Sequence, residues 1–105
     1  MLGRGKPFAD VIERQLDLFV ADEPDLLDEA AEAYTAASTA SREDSEERYG
    51  DYQLVVDAIA DRLSAIRDGY ASSLEGRSHD EYRRVFDRAA TRRFGRYASA
   101  LAETS

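Results

Sequence analysis

The sequence predicts an all-α protein, an antiparallel four-helix arrangement with a long third helix. Apolar residues recur at steps of three and four along most of the chain, as they do on one face of a helix. Prolines and glycines divide this pattern, and one segment carries a sustained heptad seam. One domain covers residues 1–105, with flexible ends at 1–6 and 103–105. The predicted helices span 7–21, 23–40, 45–75 and 78–102.

Prolines mark the starts of the first two helices, because a first helical turn tolerates a residue without a backbone N–H. Pro7 precedes an apolar series typical of one helix face, and Pro24 follows Asp22, a candidate side-chain cap. The inward face of helix two is mostly small, so this helix can approach a neighbour closely but buries little area. Its inward residues are Leu27, Ala30, Ala31, Tyr34 and Ala37.

Helix three carries the clearest pattern in the chain. Its apolar residues alternate steps of three and four over three heptads, which indicates knobs-into-holes packing within a bundle or across a dimer. Gly50 and Gly69 weaken its ends, and Gly76 is predicted to be its left-handed stop. We take the seam as the candidate interface: Tyr49, Tyr52, Val56, Ile59, Leu63, Ile66 and Tyr70.

Helix four is predicted from a capping box, in which Ser78 and Glu81 would satisfy each other's free backbone N–H groups. Helix three would be about 46 Å long, against about 22 and 27 Å for helices one and two. Something must cover the excess length. Either helices one and two stack end to end along the seam, or a second copy of the chain covers it.

Composition excludes several classes of protein. The chain has no cysteine, so disulfides, thiolate metal sites and cysteine nucleophiles are excluded. No stretch approaches the roughly 18 apolar residues that a membrane span requires, and no signal-peptide pattern opens the chain. We therefore expect a cytoplasmic protein without membrane association.

The net charge of −8 is unevenly distributed along the chain. Residues 21–47 hold ten carboxylates against Arg42, whereas residues 76–105 hold seven arginines against four carboxylates. The sequence therefore predicts an acidic face at 22–47 that is available to a partner.

No pattern indicates catalysis, a metal or a cofactor. Helical bundles that bind two metal ions use Glu-x-x-His pairs, but the single histidine, His79, has no Glu three residues before it. His79 is expected in the exposed first turn of helix four. No glycine-rich phosphate loop is present. We expect no enzyme activity, no metal and no cofactor.

Arginines recur every fourth residue on helix four and form a stripe beside its apolar face: Arg84, Arg88, Arg92 and Arg96. This stripe could bind phosphates, or it could be a solvated face or pair with the acidic segment. Arg93 projects into the apolar sector. It is expected to meet a carboxylate such as Asp57 or Asp61, to extend its stem towards water, or to line an anion-binding cleft.

The sequence thus predicts a non-enzymatic protein–protein interaction or oligomerisation module. We expect a homo-oligomer, with a dimer favoured, and a protein partner. The alternative is a nucleic-acid-associated protein that uses the arginine stripe, which the acidic net charge disfavours without excluding. No motif identifies a family.

Overall fold

The structure is a computed structural model that describes residues 7–104, and these residues form four α-helices followed by two 3-10 turns. The helices are α1 (Ala9–Asp22), α2 (Pro24–Ser38), α3 (Ser45–Ala71) and α4 (Gly76–Phe94), and the turns are Gly95–Ala98 and Leu101–Glu103. The predicted all-α fold with a long third helix is confirmed. The predicted flexible N-terminus 1–6 lies outside the described residues, as does Ser105.

Helices α2 and α4 both run antiparallel to α3. Tyr34 near the end of α2 packs on Tyr52 near the start of α3, with ring centroids 5.6 Å apart. Tyr82 near the start of α4 packs on Tyr70 near the end of α3 at 4.7 Å, and Tyr97 beyond α4 reaches Tyr52. Each half of α3 is thus covered by a different helix.

Helix α1 packs along α4 rather than along the seam of α3. Phe8, just before α1, packs on Tyr82, and Phe19 packs on Phe94, so the two helices run parallel. A single residue, Glu23, joins α1 to α2, and its carboxylate accepts a 2.6 Å hydrogen bond from Arg62 in the middle of α3. Helices α1 and α2 therefore follow one another along the molecule, but only α2 lies along the seam, whereas the predicted stacking required both helices to do so.

The core consists of two clusters of buried side chains, drawn from all four helices and the C-terminal turns. A smaller cluster, Tyr52, Val56, Ala60 and Ala100, lies where α2 and the first 3-10 turn meet the first half of α3. The main cluster occupies the other half, and its largest fully buried apolar members are Ile12, Phe19, Ile59, Leu63, Tyr82, Phe86 and Leu101.

The connection between α3 and α4 differs from the prediction. α3 ends at Ala71, and the hydroxyls of Ser72 and Ser73 then donate 2.7 Å hydrogen bonds to the carbonyls of Gly69 and Tyr70. Gly76 has the predicted left-handed conformation, with φ 58°, but it begins α4 instead of terminating α3. The predicted capping box is wrong, because the N-cap residue is Glu75 and no side chain caps the helix.

Helix α4 is shorter than the predicted 78–102 because Gly95 interrupts it. Gly95 has φ 57° and ψ −127°, a conformation that residues with a Cβ rarely adopt. The chain then continues as 3-10 turns that bury Ala98 and Leu101. The C-terminal stretch 103–105, predicted to be flexible, is described as far as Thr104, whose carbonyl accepts a hydrogen bond from Arg67.

The molecule is elongated, with principal extents of 54 × 25 × 20 Å and a radius of gyration of 15.8 Å. A compact domain of this length has a radius of gyration of about 13 Å. The difference reflects α3 and the serial arrangement of α1 and α2. Among residues 7–104, no helix is both long and apolar enough to cross a membrane.

Candidate functional site

A groove of about 500 Å³ lies between α2 and the first half of α3. Small side chains, Ala33, Ala36 and Ala58, leave this space open between the two helices. Ala31, predicted to face inwards, is exposed, and none of the residues predicted for the inward face of helix two lines the groove. Its apolar lining consists of Leu26, Ala33, Ala36, Leu54, Val55 and Ala58.

Charged side chains form the edges of this groove. Arg48 and Asp51 lie on the α3 edge and pair with each other at 3.8 Å, with both side chains about half exposed. Glu29 and Glu32 lie on the α2 edge and form no salt bridge within the described part of the chain. An apolar floor with two unpaired carboxylates beside it is suited to binding an amphipathic, cationic surface.

Leu54 is the most exposed large apolar residue of the described chain, with 69% of its surface open to solvent. The sequence interpretation did not single it out. A signal was present, since Leu54, Val55 and Val56 are consecutive and cannot all face the same side of a helix. At about 100° per residue, Leu54 points about 200° away from Tyr52. A leucine opposite a buried seam indicates either a second contact or an exposed apolar patch.

The four arginines of the predicted stripe are exposed, but only Arg84, Arg88 and Arg92 lie on α4, whereas Arg96 lies in the first 3-10 turn. Arg84, Arg88 and Arg92 form no salt bridge with any residue in 7–104. Arg96 differs, because its guanidinium carbon lies 4.0 Å from the centroid of the Tyr34 ring of α2. Cation–π contacts of this kind attract the charge to the ring face. Arg96 therefore joins the C-terminal part of the chain to α2.

Arg93 forms a salt bridge, as one of the alternatives expected, but with a different partner. Its Nη2 lies 2.7 Å from Oδ1 of Asp17 on α1, not near Asp57 or Asp61. Both side chains are partly exposed, so the pair is a solvated link between α1 and α4. Arg92 and Arg93 also border a smaller groove of about 300 Å³ between these helices.

The seam residues divide between the core and the surface. Tyr52, Val56, Ile59 and Leu63 are buried within this one chain, whereas Ile66 and Tyr70 are half-buried. Tyr49 is 60% exposed, at the end of the molecule where α2 and α3 are joined. An interface along the seam would therefore use the ends of the seam, since its centre is already covered by α2, α4 and the C-terminal turns.

Within residues 7–104, the buried arginine is Arg67, which the sequence interpretation missed. Its side chain is 1% exposed and lies in α3 between Leu63 and Ala71, one helical turn from each. Buried positions recur every fourth residue there, at Ile59, Leu63 and Ala71, and this spacing could have revealed that Arg67 occupies a core position.

Every part of the Arg67 guanidinium has a hydrogen-bond partner. Nη1 donates to Asp87 of α4 at 2.9 Å, and Nε donates to Asp68 at 2.8 Å. Nη2 donates to the carbonyl of Thr104 at 2.7 Å and to its hydroxyl at 3.1 Å. Arg83 also binds Asp68. This arrangement links α3, α4 and the C-terminal segment around one charge.

The pKa values around Arg67 follow from this geometry. Burial by itself would lower the pKa of Arg67, but its hydrogen bonds and its charge interactions with Asp68 and Asp87 outweigh burial and raise that pKa. Burial by itself would raise the pKa of Asp68, but the hydrogen bonds and charges of Arg67 and Arg83 outweigh burial and lower that pKa. Both groups are therefore charged at neutral pH.

His79 lies half-buried in the first turn of α4, with Nδ1 3.2 Å from Oδ1 of Asp80. Within residues 7–104, no three His, Cys, Asp or Glu side chains are grouped so that they could hold a metal ion.

Comparison of the chain with protein-family models, with curated proteins and with solved structures found no match.

Proposed function

We propose that this chain is a non-enzymatic protein-interaction module whose docking surface is the groove between α2 and α3. The observation that carries the proposal is Leu54, a leucine that is 69% exposed at an apolar groove of about 500 Å³. Exposed apolar groups beside a groove with charged edges are typical of protein interfaces. The lining offers no hydroxyl, thiol or imidazole nucleophile, which supports binding.

Two exposed leucines provide a matched test. Leu54 lines the groove, whereas Leu18 is 53% exposed on α1 and lines none of the described grooves. Three immobilised forms would be used to capture proteins from cells that express the chain: the unmodified chain, Leu54→Asp and Leu18→Asp. Each captured protein would then be purified, and its affinity for each of the three forms would be measured directly. We expect Leu54→Asp to weaken direct binding at least about tenfold and Leu18→Asp to leave it within about twofold.

Circular dichroism would verify that both variants remain folded. Proteins that bind all three forms equally would contradict the proposal, as would captured proteins with no measurable affinity after purification.

The predicted dimer and the predicted cytoplasmic location belong to the same proposal. A dimer would use surface outside the buried centre of the seam, and Tyr49 offers an exposed ring at one end of it. Sedimentation velocity at micromolar concentration would detect a dimer, and a monomer at all concentrations would contradict this part. Tyr49→Ala should weaken a dimer that uses this end of the seam.

The second candidate is nucleic-acid association, which the three unpaired arginines Arg84, Arg88 and Arg92 favour. Phosphate contacts would give affinity that falls steeply with salt. Arg88→Ala/Arg92→Ala should abolish a mobility shift at about 50 mM salt, whereas the control Arg42→Ala/Arg77→Ala removes the same charge elsewhere. Equal losses in both double variants, or no shift with the unmodified chain, would contradict this candidate.

A further inference from the structure

The length and construction of the groove between α2 and α3 restrict what it can hold. Its lining extends from Leu26 to Ala36 on α2 and from Arg48 to Ala58 on α3. Ten residues of helix cover about 15 Å, which is about three helical turns. Both walls are helices whose backbone groups are already bonded, so the groove offers no edge to which an extended strand could add. A short helix fits these limits.

The side chains of the floor set the apolar pattern of this occupant. Ala33, Ala36 and Ala58 are small, so a partner backbone can come close and insert larger side chains between Leu26 and Leu54. An occupant helix would therefore present apolar anchors at positions i, i+3 or i+4, and i+7, the usual pattern of a helix docked in a groove. Val55 is already buried at the bottom of the contact.

The charge at the edges sets the polar flanks of the occupant. Glu29 and Glu32 are exposed and unpaired within the described residues, whereas Asp51 is paired with Arg48. They belong to residues 21–47, which hold ten carboxylates and one arginine. Lysine or arginine beside the anchors would complement this edge, and an anionic membrane surface would be repelled.

A second copy of the chain fits the groove less well. A two-fold pairing of grooves would place Glu29 and Glu32 of both copies, four unpaired carboxylates, in one interface, which is unfavourable. The basic face of α4 exposes Arg84, Arg88 and Arg92, but Val85 and Ala89 between them are half-buried against the rest of the chain. Among the described residues, that face therefore provides cations but no exposed large apolar side chain that could act as an anchor.

Resting on the proposed function, we infer that the groove binds a cationic amphipathic helix of about three turns from another protein. The apolar floor takes its anchors, and Glu29 and Glu32 bind its basic flanks. The partner class is thus defined by one apolar stripe bordered by lysine or arginine.

Three synthetic fluorescent peptides of about 14 residues test this inference against the full chain by fluorescence anisotropy. The first has leucines at i, i+3, i+4 and i+7 and lysines elsewhere. The second has the same composition in an order that breaks the stripe, and the third replaces lysine with glutamate. We expect the first peptide to bind at least about tenfold more tightly than either of the others.

Matched variants locate the binding. Glu29→Gln/Glu32→Gln removes two carboxylates at the groove edge, and Glu43→Gln/Glu46→Gln removes two exposed carboxylates from the same acidic stretch outside the groove. The groove variant should lose at least about tenfold in affinity and the control less than about threefold. Equal losses would show general charge attraction and would overturn the inference.

Other outcomes also overturn the inference. These are the absence of binding by the first peptide at about 100 µM, equal binding of the glutamate peptide, or a dimer of the chain that Leu54→Asp dissociates. The proposed function and this inference can fail independently. If purified proteins bind in a Leu54-dependent manner while the lysine peptide does not bind, the proposed interaction module is supported and only the inferred partner chemistry is wrong.

Discussion

Arg67 is the residue on which three parts of the molecule depend. A buried charge is costly unless it is paired and fully hydrogen-bonded, and Arg67 meets both conditions through Asp68, Asp87 and Thr104. Its partners come from α3, α4 and the C-terminal segment, so all three nitrogens of the guanidinium are satisfied when these elements pack as they do here. The cluster therefore selects this arrangement of the chain rather than adding greatly to its net stability.

Removing the Arg67 side chain should be costly. We expect Arg67→Ala to lower the free energy of unfolding by about 2–5 kcal/mol, because it leaves a cavity and deprives Asp87 and the carbonyl of Thr104 of a partner, whereas Asp68 keeps Arg83. Urea denaturation followed by circular dichroism measures this loss. The control is Arg62→Ala, which removes an exposed salt bridge to Glu23 and should cost about 1 kcal/mol or less. Similar losses for both variants would contradict the assigned role of Arg67.

Prediction from sequence was weakest for single charged side chains. Arg93 points towards apolar neighbours, but its long stem lets the guanidinium reach Asp17 at the surface. The heptad pattern assigned only one residue in every three or four to the core, and in this turn it assigned Ile66. Arg67, the next residue, was therefore left out of the predicted core. Helical periodicity indicates which face is buried, whereas the burial of a charge depends on distant groups such as Asp87 and Thr104 that only the fold brings together.

At the scale of elements, helix types and order were predictable but the end of the last helix was not. Phe94, Tyr97, Ala98 and Leu101 keep a spacing of three or four residues, and this spacing suits an α-helix and a 3-10 turn equally well. The distinguishing signal was Gly95. Its conformation turns the chain so that Tyr97 packs on Tyr52 and Leu101 enters the core.

Replacing Gly95 tests this break directly. Gly95→Ala should destabilise the fold by about 1–3 kcal/mol, because alanine is strained at φ 57° and ψ −127°. Gly50→Ala is the control, since Gly50 lies inside α3, and an added Cβ meets no atom within 4 Å at either position. That variant should stabilise the fold by up to about 1 kcal/mol. If denaturation curves show that both variants change the free energy of unfolding in the same direction, the interpretation is contradicted.

At the scale of the whole molecule, the length of helix three was the informative prediction. It indicated that two shorter helices in series or a second chain must cover the excess, and α1 and α2 do follow each other along the molecule. What the sequence could not indicate is that α1 would pack on α4, because the apolar faces of α1, α2 and α4 are similar in pattern. The groove between α2 and α3 was not predicted, because Leu26, Ala33 and Ala36 line it rather than the residues assigned to the inward face of helix two.

The end of the molecule at which α3 begins should be less stable locally than the centre of the molecule. The side chains of residues 41–51 are all exposed, whereas Ile59 and Leu63 are completely buried at the centre of α3. Opening the first turns of α3 therefore exposes little apolar surface, but exchange at the centre requires the core to separate.

We expect backbone amides of residues 48–51 to exchange with deuterium at least about 100-fold faster than those of residues 59–63, as measured by nuclear magnetic resonance. Gly50→Ala should slow the faster group selectively, because it favours the helical state of that segment. Uniform exchange along α3 would mean that the helix opens only with the whole fold. Because Arg48 and Asp51 border the groove, a bound helix should also slow exchange at this end and leave the centre unchanged.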